Sequence, residues 1–413
     1  MARLAAPRFA ASTRRAAVAL AASGALAVGA VGVGVPAQAS TAALPQAVTV
    51  MAKATTVSTG LTWADGKPIR ATVVKEKGAG KITRDSLGKR TLASTAGASV
   101  VGVLADGRAL VFKKGKLSVV ERSGKIRPYA KGKTPTHDPG LTKVLVQGNA
   151  VYLSEYSEPR GVSTWTVTAY KGSARAVSGK TVFKKDGPGS GMTEAWTVNK
   201  GRVYFTKQTW TKDDQLASTH VYSRALGGTK DRLEAKNADA PVLTDAGVVV
   251  TTVVRDVDGG YGYRYTGARV IGGPALVKAV GKDWNFSEGG GGGNAAAVEG
   301  GGRVLTLNAN GDDTFRANYL VVDYKAKKAW KIITHGLWWA APSGSGTRAT
   351  WMGVRADDPR AIGTKVYSFD VTTGKLRVAT TKNQLTGVAG NGKALAWSTG
   401  TGVRASLAAG ILR

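Results

Sequence analysis

A short strand, a turn holding Gly or Asn, and a second strand recur along this chain, in a register marked by Ala109, Val151, Val203, Val248, Val304, Ala349 and Ala394. The intervals are 42, 52, 45, 56, 45 and 45 residues, the period of a four-stranded antiparallel unit repeated in an array. The stretch from Thr193 to Leu233 is one complete copy. Within it Thr193–Val198 and Arg202–Lys207 flank Asn199-Lys200-Gly201, and His220–Ala225 and Lys230–Leu233 flank Leu226-Gly227-Gly228-Thr229. β-Branched and aromatic residues fill the runs, while Gly, Asn and Asp occupy the gaps that need tight turns or positive φ.

A second hairpin follows in each unit: Leu117–Arg127, Trp165–Val177, His220–Leu233, Tyr263–Lys278, Tyr319–Ile332 and Lys365–Val378. Seven markers predict an all-β chain folded as a seven-bladed β-propeller of four-stranded antiparallel blades. The seventh unit is short of chain after Ala394, so the ring needs a strand from elsewhere to remove the exposed edge. The hairpin Ala71–Thr83, turning at Gly78-Ala79-Gly80, is the expected donor, with Val403–Leu412 able to supply one strand. The alternative is an eight-bladed ring in which Ala71–Thr83 and Leu92–Val103 form a blade of their own.

The segments Leu104–Lys114 (LADGRALVFKK), Thr197–Lys207 (TVNKGRVYFTK) and Leu243–Val253 (LTDAGVVVTTV) resemble the turn of TolB-type propeller repeats. Val366–Val378 (VYSFDVTTGKLRV) is similar to the D-x-x-T-G-K hairpin of TolB-type and quinoprotein-like propellers. These copies lack the Pro of the family pattern, and of the three turns only Asp106-Gly107 keeps its D-G pair. The resemblance extends from about Ala98 to the C-terminus at the level of repeat pattern, and it implies an exported binding or scaffolding propeller.

Residues 1–39 read as a signal peptide. Arg3, Arg8, Arg14 and Arg15 form a basic start, Ala16–Val35 is uncharged and apolar, and Ala37-Gln38-Ala39 is an A-x-A cleavage site. Sec export is the first reading and twin-arginine export the second. Cleavage would remove four arginines and no acid, taking the formal charge from +31 to +27. Residues 40–60 read as a flexible N-terminal linker and 61–413 as the propeller. The absence of cysteine excludes a disulfide framework, a thiolate metal site and a thiol nucleophile. So basic a surface favours anionic wall polymers or membrane headgroups. A secreted, cell-wall-associated monomer is therefore expected.

In a propeller blade the loops between second and third strands open on one face with the crossovers between blades, and the remaining turns open on the other. The first set carries acidic pairs, among them Asp213-Asp214, Asp256 with Asp258, and Asp312-Asp313. Aromatic residues Trp210, Tyr261, Trp284 and Phe315 share that face and can stack on sugar or clasp a peptide. Asp256, Asp258, Asp312 and Asp313 are hard oxygen donors of the kind Ca²⁺ prefers, although Asp also stabilises turns on its own. No other cofactor is indicated. The outer hairpins are basic instead, with Arg122, Lys125, Lys325, Lys327, Lys328, Lys365 and Lys375, so charge is expected to sort by face. Five tryptophans, Trp165, Trp196, Trp330, Trp351 and Trp397, fall inside strands and read as core.

No H-x-x-H, H-E-x-x-H or G-x-S-x-G spacing occurs. The expected function is therefore non-catalytic binding or scaffolding at the anionic cell envelope, with a protein or glycan partner at the propeller mouth. The competing class is an extracellular carbohydrate-active hydrolase or lyase with a carboxylate site at that mouth.

Overall fold

The computed structural model describes residues 55–82, 95–121, 124–129, 143–148, 150–157, 164–173, 176–186, 192–210, 216–256, 262–280, 302–309, 317–334, 343–353, 363–391, 394–400 and 402–407. All of them belong to the second of two compact units, Met1–Ala52 and Lys53–Arg413. Every regular element among them is a β-strand.

Three strands come first: β1 (Thr56–Trp63), β2 (Pro68–Lys75) and β3 (Gly80–Lys81). Antiparallel meanders follow in chain order. The first is β4 (Ala98–Val103), β5 (Ala109–Lys113), β6 (Lys116–Val120) and β7 (Ile126–Pro128). The second is β8 (Lys143–Gln147), β9 (Ala150–Ser157), β10 (Thr164–Ser173) and β11 (Ala176–Asp186). The third is β12 (Met192–Asn199), β13 (Arg202–Trp210), β14 (Leu216–Ala225) and β15 (Asp231–Lys236). Next come β16 (Ala238–Thr244), β17 (Gly247–Asp256), β18 (Gly262–Val270) and β19 (Ala275–Ala279). They are followed by β20 (Val304–Ala309), β21 (Ala317–Asp323) and β22 (Lys328–Thr334). Then come β23 (Ser343–Ser345), β24 (Arg348–Gly353), β25 (Lys365–Asp370) and β26 (Lys375–Thr380). The last meander is β27 (Leu385–Gly390), β28 (Ala394–Thr399) and β29 (Gly402–Leu407).

The sequence markers fall where the repeat places them. Ala109, Val304 and Ala394 open β5, β20 and β28, and Val151, Val203, Val248 and Ala349 are the second residues of β9, β13, β17 and β24.

Each meander shares a buried core with the next. Leu110 and Leu117 meet Val151 and Leu153, Val167 meets Trp196 and Phe205, and Val221 meets Val250. Further along, Trp330 and Ile332 meet Trp351 and Tyr367, and Val366 meets Leu395 and Trp397. The tryptophans read as core are found there, with Trp196, Trp351 and Trp397 fully buried, Trp330 buried and Trp165 packed against the cluster of Trp196. The last meander then packs on the first, through Ala98, Val100 and Val111 against Ala389, Ala396 and Val403. The succession of sheets closes on itself.

The closure differs from the sequence expectation. Ala71–Thr83 is not a hairpin and does not join the last meander. Its first residues belong to β2, which pairs antiparallel with β1 through the turn at Asp65-Gly66. β1 pairs with β19, and β2 pairs parallel with β22, giving one nine-stranded sheet ordered β16-β17-β18-β19-β1-β2-β22-β21-β20. β3 pairs parallel with β26 instead of folding back on β2. The eight-bladed alternative fails on the same pairing, since Ala71 lies in β2 and Ala98–Val103 is β4, in different sheets. The linker assigned to residues 40–60 is also too long, because β1 begins at Thr56.

The physical reason lies in the inner face of the hairpin. Leu61, Trp63, Ile69 and Ala71 are buried in one cluster with Val249, Val253 and Val277 on one side and Leu305, Leu320 and Val322 on the other. Neighbouring sheets of a ring diverge outward, and this apolar face fills the wedge between two of them. It also covers the outer edges of β19 and β22, which would otherwise present unpaired backbone groups.

Between the first and last meanders the contact is face to face, and among the described residues no strand from elsewhere pairs with either. Val100 N–H donates to Ser398 Oγ (2.8 Å), Val403 N–H to Thr95 Oγ1 (2.8 Å) and Asn391 Nδ2 to the Leu104 carbonyl (2.8 Å).

Candidate polyanion-binding surface

An arginine at or just before the start of a strand recurrently meets a polar residue near the end of the strand that follows it. The antiparallel register dictates this, as Arg348 lies directly across from Asp370 and Val304 across from Asp323. Arg348 Nη2 donates to Asp370 Oδ2 at 2.8 Å, and Arg303 Nη2 lies 2.9 Å from Asp323 Oδ2. The second contact lacks hydrogen-bond alignment and acts as an ion pair. Arg108 reaches Glu121 at 3.2 Å and Asp106 at 2.7 Å, and Arg202 Nε donates to Ser223 Oγ at 2.7 Å. The aspartates also hold their turns. Asp323 Oδ1 accepts from Lys325 and Ala326 N–H, and Asp370 Oδ1 from Thr372 N–H. Burial pulls the Arg348 guanidinium below its usual value, while Asp370 acts in the opposite direction.

The remaining carboxylates with described side chains are engaged as well. Asp65 pairs with Lys327 at 2.7 Å, Asp245 with Lys325 at 3.2 Å, Asp231 with Arg224 at 2.7 Å and Glu234 with Arg232 at 2.7 Å. Asp239 Oδ1 accepts from the Ala240 N–H at 2.6 Å. Glu76 takes both Lys365 Nζ and the Tyr367 hydroxyl. Among the described residues the surface charge that remains is cationic. Lys67, Lys75, Lys77, Lys81, Lys114, Lys116, Lys200, Lys230, Lys236, Lys328 and Lys375 are all exposed, with no ion pair among the described residues.

The predicted basic residues divide into two kinds. Lys125, Lys328 and Lys375 are exposed at or beside the outer hairpin turns, as expected. Lys325 and Lys327 share the β21–β22 turn but are ion-paired to Asp245, in the β16–β17 turn, and Asp65, in the β1–β2 turn. Charge is therefore not cleanly sorted by face, because the turns that accompany the basic hairpins bring acids with them. Lys327 in turn holds the Asp65 carboxyl below the usual carboxylate range, chiefly through their hydrogen bond. The sequence pattern groups Lys365 with the turn lysines, yet it pairs across from Gly353 at the opposite end of β25. Sequence reasoning missed its partner Glu76, since nothing local links residues 289 positions apart.

Arg122 lies outside the described residues. Of the predicted mouth, Trp210 and Asp256 end β13 and β17, and only their backbone is described. Asp213, Asp214, Asp258, Tyr261, Trp284, Asp312, Asp313 and Phe315 lie outside the described residues, and the calcium reading lies there with them. Among the described residues no three His, Asp or Glu side chains gather as a metal site would require, and no helix is long and apolar enough to cross a membrane.

Meander sheets packed in succession, with the last against the first, make this an all-β protein of the β-propeller class. No family model matches the chain, and no curated protein matches it. Among solved structures it is similar to BamB from Moraxella catarrhalis at 14% identity and TM-score 0.34, over 74% of this chain and 83% of that one. It is similar to the β-propeller domain of the Trilobed protease from Pyrococcus furiosus at 10% identity and TM-score 0.40, over 74% and 93%. Pyrococcus horikoshii acylaminoacyl peptidase aligns at 11% identity and TM-score 0.46, over 74% of this chain and half (50%) of its own length.

Proposed function

We propose that the chain is a secreted, non-catalytic β-propeller of seven blades that binds anionic polymers of the cell envelope. The blade count is supported by the seven sequence markers, each of which falls in the first or second residue of a strand. The export reading rests on residues 1–39 of the sequence. One observation carries the binding reading: every carboxylate whose side chain is described is already engaged within the fold, while exposed lysines on several sheets have no ion pair among the described residues. Such a surface attracts polyanions through charge density, in a way that salt screens.

The test is retention of the mature chain on an anionic matrix as salt is raised. Elution that shifts steeply with ionic strength supports the reading, and retention indifferent to salt refutes it. The hydrolase reading is tested separately, by screening polysaccharide and ester substrates. An activity abolished by a Glu or Asp change at the mouth would replace binding as the function.

A further inference from the structure

Between β2 and β3 the chain leaves the interior of the nine-stranded sheet, where β2 lies between β1 and β22, and joins the edge of the next sheet beside β26; the seven residues of this crossing read Lys75-Glu76-Lys77-Gly78-Ala79-Gly80-Lys81. We propose that this strap is the principal seat of a linear polymer bearing phosphate or sulfate groups, an inference that rests on the polyanion-binding reading above.

The strap hides its one acid and displays its bases. Glu76 turns inward, with its side chain 15% exposed, to take Lys365 Nζ and the Tyr367 hydroxyl, the latter at 2.8 Å. Its backbone N–H donates to the Ile333 carbonyl at 3.1 Å. The Ala79 N–H then donates to the Glu76 carbonyl at 2.9 Å, closing a turn with Lys77 at its second position and Gly78 at φ 101° in its third. That φ requires glycine. Lys75, Lys77 and Lys81 are left exposed, with no ion pair among the described residues. At the β21–β22 turn, by contrast, Asp245 and Asp65 neutralise two of the three lysines.

Backbone pairing fixes the strap on both sides. Lys75 lies in parallel register with Ile333, and Gly80 and Lys81 with Arg377 and Val378. Lys75 and Lys81 are therefore held in paired strands and Lys77 in the closed turn between them, not on a free tail, so a polymer lying along the strap pays little to order their backbone. Lysine is a compact point charge without the planar fork of arginine. A row of three suits closely spaced anionic groups along a chain better than a single carboxylate gripped in two places.

The experiment measures binding of the mature chain to long-chain inorganic polyphosphate and to dextran sulfate as a function of salt. The slope of log affinity against log salt counts the cations engaged, at roughly 0.7 to 0.9 per contact. For the triple variant Lys75→Gln/Lys77→Gln/Lys81→Gln the slope should fall by about two to three, and for Lys77→Gln alone by about one. The triple change to Arg should keep the wild-type slope, because the charge is kept. The polymer that the wild type holds more tightly identifies the source of the anionic groups. An unchanged slope in the Gln triple, with wild-type binding intact, places the seat elsewhere and overturns this inference while the binding reading stands. Loss of slope in the Arg triple overturns it too, since charge would then not be the determinant. If the wild type binds neither polymer in a salt-dependent way, the binding reading itself falls.

Discussion

Gly387 in β27 lies so close to the backbone of Val100 in β4 that a Cβ at Gly387 would strike the Val100 carbonyl oxygen. Only glycine allows the last meander to settle this closely on the first. Gly387→Ala should therefore cost about 1–3 kcal/mol, the usual cost of overpacking a close contact. Gly400→Ala, where the added atom meets nothing within 4 Å, should cost less. Urea denaturation of the two variants side by side checks this, and equal costs would mean that the closure does not depend on the close approach.

The pair Arg348–Asp370 is nearly dry, with the side chains 5% and 12% exposed. Removing one member takes this buried contact away from the other. Asp370→Ala is expected to lose about 3–5 kcal/mol, read as a lower denaturation midpoint, whereas Arg348→Met combined with Asp370→Leu should recover much of that loss. A double variant no more stable than Asp370→Ala would show that the aspartate matters for the turn at Thr372 and not for the ion pair.

Glu76 anchors the strap, and its release should be felt locally. Glu76→Ala should weaken the strap by about 1–2 kcal/mol, at the lower end of charged hydrogen bonds because Lys365 is a third exposed. Hydrogen exchange at Val73–Val74 and at Ile82 should accelerate while exchange in β12–β15 stays as it was. Uniform acceleration across both regions would mean that the strap opens only with the whole molecule.

The link between Asp65 and Lys327 gives a pH signature. Because the folded carboxyl sits below its unfolded value, its contribution is fully present above about pH 4, and it is lost as pH falls through the lower folded value. The stability difference between wild type and Asp65→Asn should therefore be constant from pH 7 to 5 and shrink on further acidification. A difference that grew in acid would reverse the sign of the argument.

The repeat was legible because it is written locally. Turn residues such as Asn199-Lys200-Gly201 and alternating apolar runs such as Val203–Phe205 mark strands without reference to anything distant. The N-terminal strands were misassigned for the opposite reason. The partners of β1 and β2 are β19 and β22, more than two hundred residues away, and no local pattern encodes which sheet edge a strand will join. One signal is present: Asp65-Gly66 between two β-branched runs is a hairpin turn, and it lies 13 residues before the Gly78-Ala79-Gly80 turn. The charge pattern was legible as composition but not as pairing. Lys325 and Lys327 look identical to Lys328 in sequence, and only the fold brings Asp245 and Asp65 to the first two.

The N-terminal hairpin has one more consequence, which concerns the order of events during synthesis. β1 and β2 are made well before β19 and β22, yet their edges are satisfied only when those strands exist. Through the production of more than two hundred intervening residues the apolar face of Leu61, Trp63, Ile69 and Ala71 has no native wedge to fill. Exposed strand edges and apolar faces of this kind invite association with other chains, and contacts so far apart in sequence form slowly. The hairpin is thus a late-locking element made early, and the hazardous interval for this chain runs from its emergence until β22 is complete.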